Sequence, residues 1–592
     1  MAIPLAAGQL DLDAEPTKKF AHIVGVCRQA FVGVGLFSAA INILMLAVPL
    51  YMLQVYDRVL STRNVDTLLA LTVMAVGAVL VLAVLEAVRG RIMARVGIWL
   101  DRELAADMLK SGVAINLTMT EPGGGQGLRD LAFLRGYLGG PGLIPLFDAP
   151  FILLFLAVVF LIHPVLGWIA TGGGIILFLL ALSNELMTRR PVREANAQTM
   201  RALNETDLAM RNADVIEALG MLPSLQRRWD QASDKFLSRQ REASDRSSAI
   251  TATARFMRFG VQIAMLGVGA YLVIGSELTG GAMIAAAIIA SRALAPVEQS
   301  IGGWRAYVTA QGAFRRIKRL AASVVSTRHT DLPAPEGRLS VQALIFVPPG
   351  IQGPILKDIN FDLEPGTAMG LAGPTAAGKT TLARHLVGSL VPTLGHVRLD
   401  GADLAAWNPM DRGRYIGYLP QDVELFGGTV AENISRMSEA PDTAIVAAAK
   451  FAGVHELILG LPNGYATMIG ETNTVLSGGQ RQRIGLARAV FGQPKLVVLD
   501  EPNSNLDADG ERALIETLAR LKEARATVVL VAQKPQVMAR MDKILVLREG
   551  AVQMFSDRAK ILKRLQGPVA VESDENGPAT KPLTVSDEGD KS

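Results

Sequence analysis

The chain has 592 residues, enough for two or more domains, and 50% of them are hydrophobic. Its net charge of +4 is small for this length, and no basic patch is interleaved with aromatic residues, which argues against nucleic-acid binding. A single cysteine, Cys27, excludes a disulfide framework and a cysteine-rich metal site. Long apolar runs stop near residue 305, so we predict a membrane half followed by a soluble half.

The predicted elements begin with a polar N-terminal tail, residues 1–25, without the pattern of a cleavable signal peptide. Six apolar stretches of roughly 20 residues follow, and each is long enough to cross a bilayer as a helix. They cover residues 31–53, 66–88, 143–162, 165–186, 256–277 and 280–301. We therefore predict a six-helix transmembrane domain over residues 26–320.

The connections after the second and fourth predicted spans are long, about 55 and 70 residues, and rich in arginine. Because positive residues favour the cytoplasmic side of a membrane, both connections and both termini are predicted to be cytoplasmic. A helical hairpin of the longer connection would reach roughly 50 Å. Its tip is predicted near 212–222, and that of the shorter one near 127–135. Simple solvated loops are the alternative.

Asp148 lies at the start of the third predicted span. Ionisable groups at membrane depth are usually paired or functional. Two roles stay open for this carboxylate, a structural one where the helix begins and one in a translocation path.

A linker over residues 321–338 contains Pro333, Pro335 and Gly337. After it, strand-like apolar blocks alternate with helical stretches over residues 339–568, as expected for a parallel sheet with crossover helices. The final residues, 569–592, have almost no large apolar side chains and are predicted to be a disordered tail.

Residues 373–380 fit the phosphate-binding loop pattern and lie between a strand-like block and a helical one. Glycines let backbone N–H groups surround phosphates, and the helix N-terminus adds its positive dipole end. Lys379 is predicted to contact the β- and γ-phosphates of ATP, and Thr380 to offer its hydroxyl to Mg²⁺. The predicted ATP-binding residues here are Gly373, Pro374, Thr375, Ala376, Ala377, Gly378, Lys379, Thr380 and Thr381.

A second apolar block ends in two acids, Asp500 and Glu501. Such a run suits a central parallel strand that is covered on both faces. Asp500 is predicted to hold Mg²⁺, directly or through water. Glu501 is predicted to be the catalytic general base that polarises the attacking water.

A second anion site is predicted at Ser477, Gly478, Gly479 and Gln480, which precede another helical stretch. One γ-phosphate does not need two such sites from a single chain, whereas two chains facing head to tail would use both. We therefore predict a homodimer in which each copy completes the ATP site of the other.

The order of five motifs resembles that of the ATP-binding-cassette (ABC) family: residues 373–381, Gln421, residues 476–480, residues 499–501 and residues 504–507. Six preceding spans are similar to the exporter subfamily, so the resemblance covers the whole chain. It implies that Gln421 binds ATP and joins the Mg²⁺ and water network, and that residues 504–507 contact the partner's site. It also implies that the hairpin tips are coupling helices. The predicted fold is multidomain: an all-α six-helix transmembrane domain with long cytoplasmic helical extensions, then an α/β P-loop ABC ATPase domain.

A narrower resemblance lies in residues 49–60 (PLYMLQVYDRVL) and 501–507 (EPNSNLD), which resemble the type I secretion permease/ATPases of the protease-exporter (PrtD-like) class. Toxin and bacteriocin exporters carry an additional peptidase-like domain, whereas about 30 residues precede the first span here. The class implies ATP-driven export of an unfolded polypeptide across the inner membrane of a Gram-negative bacterium. The implied partners are a second copy, membrane lipid, secreted protein cargo, a periplasmic adaptor (membrane fusion protein) and a TolC-like outer-membrane channel.

Two positions depart from the ABC pattern. Where the family has an aromatic residue that stacks on adenine, this chain has residues 345–349, with Phe346 close to that place. Gln533 replaces the family's switch histidine and is assigned, with Glu501, to catalysis. Export of lipid or small molecules, a weakly hydrolysing half of a heterodimer, and a regulatory subunit that rarely hydrolyses ATP remain alternatives.

Overall fold

The computed structural model describes residues 16–118, 125–323, 332–470, 476–532 and 534–559. The chain forms two compact units, 1–326 and 327–592. Gln533 and the predicted tail 569–592 lie outside the described residues, as do residues 119–124 of the first long connection.

The first unit is helical throughout its described part. Helix α1 begins at Pro16, inside the segment predicted as a tail. The helices are α1 (Pro16–Leu44), α2 (Ala47–Gln54), α3 (Leu60–Thr62), α4 (Val65–Thr118), α5 (Gln126–Gly139), α6 (Ile144–Asp148), α7 (Ile152–Ile162), α8 (Pro164–Arg211), α9 (Ala213–Ala218), α10 (Leu222–Ile274) and α11 (Gly280–Ser323).

Six helical segments among the described residues are long and apolar enough to cross a membrane, which confirms the six predicted spans. They are Lys19–Thr62, Val65–Leu117, Pro141–Ile162, Pro164–Met187, Gln240–Ile274 and Gly280–Ala322. Several helices continue well beyond their apolar part. Helices α8 and α10 have 48 and 53 residues, so each is roughly 70–80 Å long.

The structure confirms one of the two predicted hairpin tips and contradicts the other. The longer hairpin turns at residues 212–222 as predicted, through the short helix α9 and a left-handed Gly220 at φ +61°. The prediction for residues 127–135 is wrong, because they lie inside α5. Helix α4 ends at Thr118 and α5 begins at Gln126, and residues 119–124 lie outside the described part of the chain.

Helix α5 is packed rather than exposed because one of its faces is apolar and carries a buried acid. Asp130 receives two hydrogen bonds from Arg316 of α11, at 2.6 and 2.8 Å. Leu131 and Leu134 join the buried cluster that includes Met108 of α4. The partner of Asp130 is 186 residues away in sequence, so spacing alone could not reveal this packing.

A buried polar network joins the first three spans. Asp148 Oδ1 accepts hydrogen bonds from Arg89 Nη1 at 2.9 Å and from Asn42 Nδ2 at 3.0 Å. Arg89 Nη1 also donates to the Ser38 hydroxyl at 2.9 Å. Arg89 is 5% exposed and Asp148 9%, so the pair is removed from water. These contacts support the structural role for Asp148.

The stretch 49–60 contains a π-helical turn, Val55–Val59, that places Asp57 against the start of α11. Asp57 accepts hydrogen bonds from the Gly281 N–H, at 2.8 Å, and from the Thr279 hydroxyl, at 2.5 Å. A Cβ at residue 281 would lie 2.5 Å from Asp57 Oδ1, so glycine is required there. The carboxylate thus caps the N-terminus of another span, where negative charge is stabilising.

The second unit is α/β, as predicted. Its strands are β1 (Leu339–Phe346), β2 (Leu356–Leu363), β3 (Ala368–Ala372), β4 (Leu394–Leu399), β5 (Ala402–Asp403), β6 (Ile416–Leu419), β7 (Gly428–Thr429), β8 (Met468–Ile469), β9 (Leu496–Asp500), β10 (Thr527–Val531), β11 (Lys543–Arg548) and β12 (Ala551–Asp557). Its helices are α12 (Lys379–Leu386), α13 (Pro409–Tyr415), α14 (Val430–Ile434), α15 (Asp442–Phe451), α16 (His455–Leu459), α17 (Gly478–Val490), α18 (Ala508–Glu523) and α19 (Pro535–Met538).

The central sheet has the strand order β12-β11-β3-β10-β9-β6. Its strands β11, β3, β10, β9 and β6 are parallel, and β12 pairs antiparallel at one edge. All five residues of β9 and of β10 are buried, which explains why both strands read as unbroken apolar runs. A separate antiparallel sheet, β2-β1-β4-β5, was not predicted from the sequence.

Breaking the Arg89–Asp148 pair should destabilise the membrane unit strongly. Asp148→Leu leaves a buried guanidinium unpaired, and such a loss costs about 3–5 kcal/mol. The double variant Arg89→Met with Asp148→Leu should recover most of the loss, because no buried charge remains. Thermal unfolding of the purified protein in detergent measures both.

Asp245→Ala, in an exposed pair with Arg241, serves as the control and should leave the unfolding temperature nearly unchanged. An Asp148→Leu protein that melts with the wild type would contradict this account of the network.

Candidate nucleotide site

The sheet brings three predicted motifs to one edge. The loop 373–378 follows β3, Glu501 follows β9, and Gln421 lies two residues after β6. These strands run parallel, so their carboxyl ends meet at the same edge, where open α/β sheets bind ligands. The structure therefore places residues 373–381, Gln421, Asp500 and Glu501 together.

The loop after β3 has a backbone that few sequences can adopt. Gly373, Ala376 and Gly378 have φ values of +153°, +64° and +95°. A Cβ at residue 373 would lie 2.2 Å from the Leu547 carbonyl oxygen, so only glycine fits. Lys379 is buried, and its ammonium donates to the carbonyls of Gly373 and Pro374 at 3.0 and 2.9 Å. The backbone of the loop therefore wraps around the ammonium group of Lys379.

Asp500 ends β9 fully buried, and neither carboxylate oxygen has a hydrogen-bond partner of good geometry within the described part of the chain. Burial raises the pKa of this carboxyl above its ordinary value, and the nearby Thr380 hydroxyl partly opposes that rise. The negative charge of Glu501 raises the pKa further, whereas the positive charge of the Lys379 ammonium lowers it. A buried carboxylate and a neighbouring hydroxyl together offer the oxygen ligands that a divalent cation prefers.

Glu501 occupies a strained backbone position directly after that strand. Its φ is +46°, and its N–H donates to the Val531 carbonyl at 3.0 Å. Its Oε2 accepts from Gln421 Nε2 at 3.2 Å, which directs the carboxylate toward the loop after β6. Non-glycine residues adopt such positive φ values at a cost, and they cluster at active sites.

A cavity of about 620 Å³, a size typical of small-molecule sites, lies beside the loop 373–381. One part of its wall is formed by residues 375, 376 and 378–381 of the loop, together with Gln421 and Glu501. The predicted site residues Gly373, Pro374, Ala377 and Asp500 are not in the lining. The other residues that line the cavity were not predicted from the sequence. The residues that line the cavity are Pro354, Ile355, Lys357, Thr375, Ala376, Gly378, Lys379, Thr380, Thr381, Gln421, Glu501, Glu549 and Gly550.

Phe346 is not among the side chains that line the cavity. It packs edge-on against His385, with ring centroids 4.6 Å apart. Burial lowers the pKa of His385, whose Nδ1 lies 2.8 Å from the Thr381 carbonyl oxygen. Phe346 therefore belongs to the packing around α12 in this structure.

Ser477, Gly478, Gly479 and Gln480 start α17 as predicted, outside the lining of the first cavity. The Ser477 hydroxyl accepts from the Gln480 N–H at 3.2 Å, and the Gln480 side chain accepts from the Ser477 N–H at 2.9 Å. This capping box leaves the hydroxyl proton of Ser477 available for a ligand. A second cavity, of about 600 Å³, is lined partly by Gly478, Gln482 and Asn505.

The sequence analysis did not identify Gln482 as a functional residue. It is 2% exposed, and its side chain bonds to the backbone of Glu501 and Asn505. A polar residue on the buried face of α17 was the only available signal. Residue 533 follows β10, the strand between β3 and β9, but it is not described, so its role stays a prediction.

The chain matches two families along most of its length. Residues 31–295 match the ABC transporter transmembrane region, and residues 356–504 match the ABC transporter family. The type I secretion system ATP-binding protein PrsD of Rhizobium meliloti (strain 1021) is 42% identical over 92% of this chain and 94% of the relative.

More distant proteins also match most of the chain. The toxin RTX-I translocation ATP-binding protein of Actinobacillus pleuropneumoniae is 28% identical over 89% of this chain and 75% of its own length. A bacterial Atm1-family ABC exporter with ATP bound superposes with a TM-score of 0.75 at 20% identity, covering 91% of this chain and 97% of that one. The structural likeness confirms the fold. The sequence identity shows that this chain belongs to the ABC transporter family and, within it, to the type I secretion system ATP-binding proteins.

Proposed function

We propose that the chain uses ATP hydrolysis to move an unfolded polypeptide from the cytoplasm across the inner membrane, as the ABC component of a type I secretion system. The protein is a multi-pass inner-membrane ATPase with its ABC domain in the cytoplasm. The observation that carries the proposal is the 42% identity to a type I secretion ATP-binding protein along 94% of that relative. The assembled cavity beside Lys379 and Glu501 supports the ATPase assignment.

The residues around the cavity divide the chemistry between them. Lys379 and the backbone of residues 373–381 would bind the triphosphate. Mg²⁺ would be held by Asp500 and Thr380, with Gln421 beside it, and would neutralise phosphate charge. Glu501 would orient the attacking water and accept its proton, because its carboxylate is held at the cavity wall by Gln421.

The separation of Ser477–Gln480 from this cavity supports the facing homodimer. Each copy would present its α17 N-terminus to the ATP held by the other. Residues 504–507 would also contact the partner's site. By analogy with the type I secretion relatives, the further partners would be membrane lipid, a secreted protein cargo, a periplasmic adaptor and a TolC-like outer-membrane channel.

Removing the base should abolish turnover without abolishing binding. Glu501→Gln retains the shape of the side chain but cannot accept a proton, and general bases contribute about 10²–10⁴-fold to rate. We expect hydrolysis to fall by at least a hundredfold and the ATP-bound dimer to accumulate, as measured by phosphate release and size-exclusion chromatography. Lys379→Ala should instead weaken ATP binding.

Glu516→Gln, an exposed change on α18, is the matched control and should keep wild-type turnover. Unchanged phosphate release by the Glu501→Gln protein would show that another group is the base.

Replacing Gln533 by histidine should accelerate hydrolysis. A glutamine amide donates a hydrogen bond but cannot carry charge, and charge-assisted hydrogen bonds are roughly twice as strong. A gain of about 1.4 kcal/mol in the transition state corresponds to a tenfold rate. ATPase activity of the purified Gln533→His protein alone measures this. Equal and normal activity in both proteins would contradict the slowed-site interpretation.

A further inference from the structure

The side chain of Gln482 joins two segments that the proposed function assigns to different tasks. Its Nε2 donates to the Glu501 carbonyl at 3.1 Å and lies 3.3 Å from the Ser504 hydroxyl. Its Oε1 accepts from the Asn505 N–H at 3.1 Å. Because one neighbour is a carbonyl and another an N–H, the amide can point only one way. These groups bind the start of α17 to the loop 501–505.

The backbone reinforces this connection. A Cβ at Gly479 would lie 2.8 Å from the Asn505 carbonyl oxygen, so the first turn of α17 lies directly against that loop. Gln482 itself is 2% exposed. Its hydrogen bonds therefore cannot be exchanged for water when the loop shifts. A displacement of residues 501–505 must move the start of α17 or leave buried polar groups unpaired.

The other end of α17 is also fixed. Arg436 donates to the carbonyls of Arg488 and Ala489, both at 3.0 Å, and to that of Gly413 within α13. A cation at a helix C-terminus interacts favourably with the dipole. Helix α17 has 13 residues, about 20 Å, and is thus held as a rigid rod at both ends.

We propose that Gln482 is a positioning residue that couples the two ATP sites of the dimer. Through it, the backbone of Glu501 in one site is joined to the α17 N-terminus, which completes the other site. ATP bound in one site thereby sets the position of the helix that the second ATP meets. This inference rests on the facing dimer proposed above.

The test uses the purified full-length chain with ATP and Mg²⁺. Gln482→Leu keeps the size of the side chain and removes all three polar contacts. We expect the Hill coefficient for ATP hydrolysis to fall toward 1 and kcat to fall about tenfold. The Kd for ATP, measured by calorimetry without Mg²⁺, should stay within twofold, because the residues that line the first cavity are unchanged.

Thr517→Val is the matched control. The Thr517 hydroxyl is fully buried and donates to the Ala513 carbonyl at 2.6 Å, away from both cavities. Its loss should lower the unfolding temperature without changing the Hill coefficient. Gln482→Glu keeps the acceptor for Asn505 but places an acceptor against the Glu501 carbonyl, so it too should reduce cooperativity.

The outcomes separate the two proposals. A cooperative wild type together with an equally cooperative Gln482→Leu protein would overturn the coupling role and leave the dimer intact. Wild-type hydrolysis with a Hill coefficient of 1 would overturn the coupling role. An ATP-bound Glu501→Gln protein that stays monomeric in size-exclusion chromatography would contradict the facing dimer, and the coupling role with it. Equal losses of cooperativity in Gln482→Leu and Thr517→Val would show that Gln482 acts only through stability.

Discussion

Each unit of this protein contains a buried carboxylate, and burying a negative charge is energetically costly. The two carboxylates differ in the groups that offset this cost. In the nucleotide unit, Asp500 is buried at the end of a central strand with no hydrogen-bond partner of good geometry among the described residues. In the membrane unit, Asp148 is buried but paired with Arg89 and Asn42. A buried charge is stable only when it is paired or coordinates a metal. Pairing therefore supports a structural role for Asp148, whereas the surroundings of Asp500 are those of a carboxylate that binds a cation.

The surroundings of Asp500 follow from the same constraint. The parallel sheet places the loop of Lys379, the carboxylate of Glu501 and the amide of Gln421 around the edge where β9 ends. The loop requires Gly373 and Gly378 because its backbone approaches β11 and β2 closely. Glu501 follows β9 with a φ of +46°, and its carboxylate accepts a hydrogen bond from Gln421. The strand order and the positions of the glycines thus bring the charged groups of Lys379 and Glu501 close to the carboxylate of Asp500.

Much of this could be predicted from the sequence because it depends on local pattern. The loop 373–381, the apolar strand before Asp500 and the six spans are each encoded in contiguous residues. The features that sequence analysis did not predict involve contacts between residues that are far apart in the sequence. Residues 127–135 were expected at a hairpin tip, but Asp130 pairs with Arg316, and that pairing packs the helix. The contacts of Gln482 with residues 501–505 and of Asp57 with Gly281 were equally invisible, because neither follows from spacing.

The most direct test of this account is cation binding at Asp500. Mn²⁺ can replace Mg²⁺ in the Glu501→Gln protein, which we expect to retain bound ATP, and electron paramagnetic resonance then counts the bound ions. The account predicts ATP-dependent Mn²⁺ binding that is lost on a further Asp500→Asn change, while ATP itself still binds. Undiminished Mn²⁺ binding in the Asp500→Asn protein would contradict the central role given to this buried carboxylate.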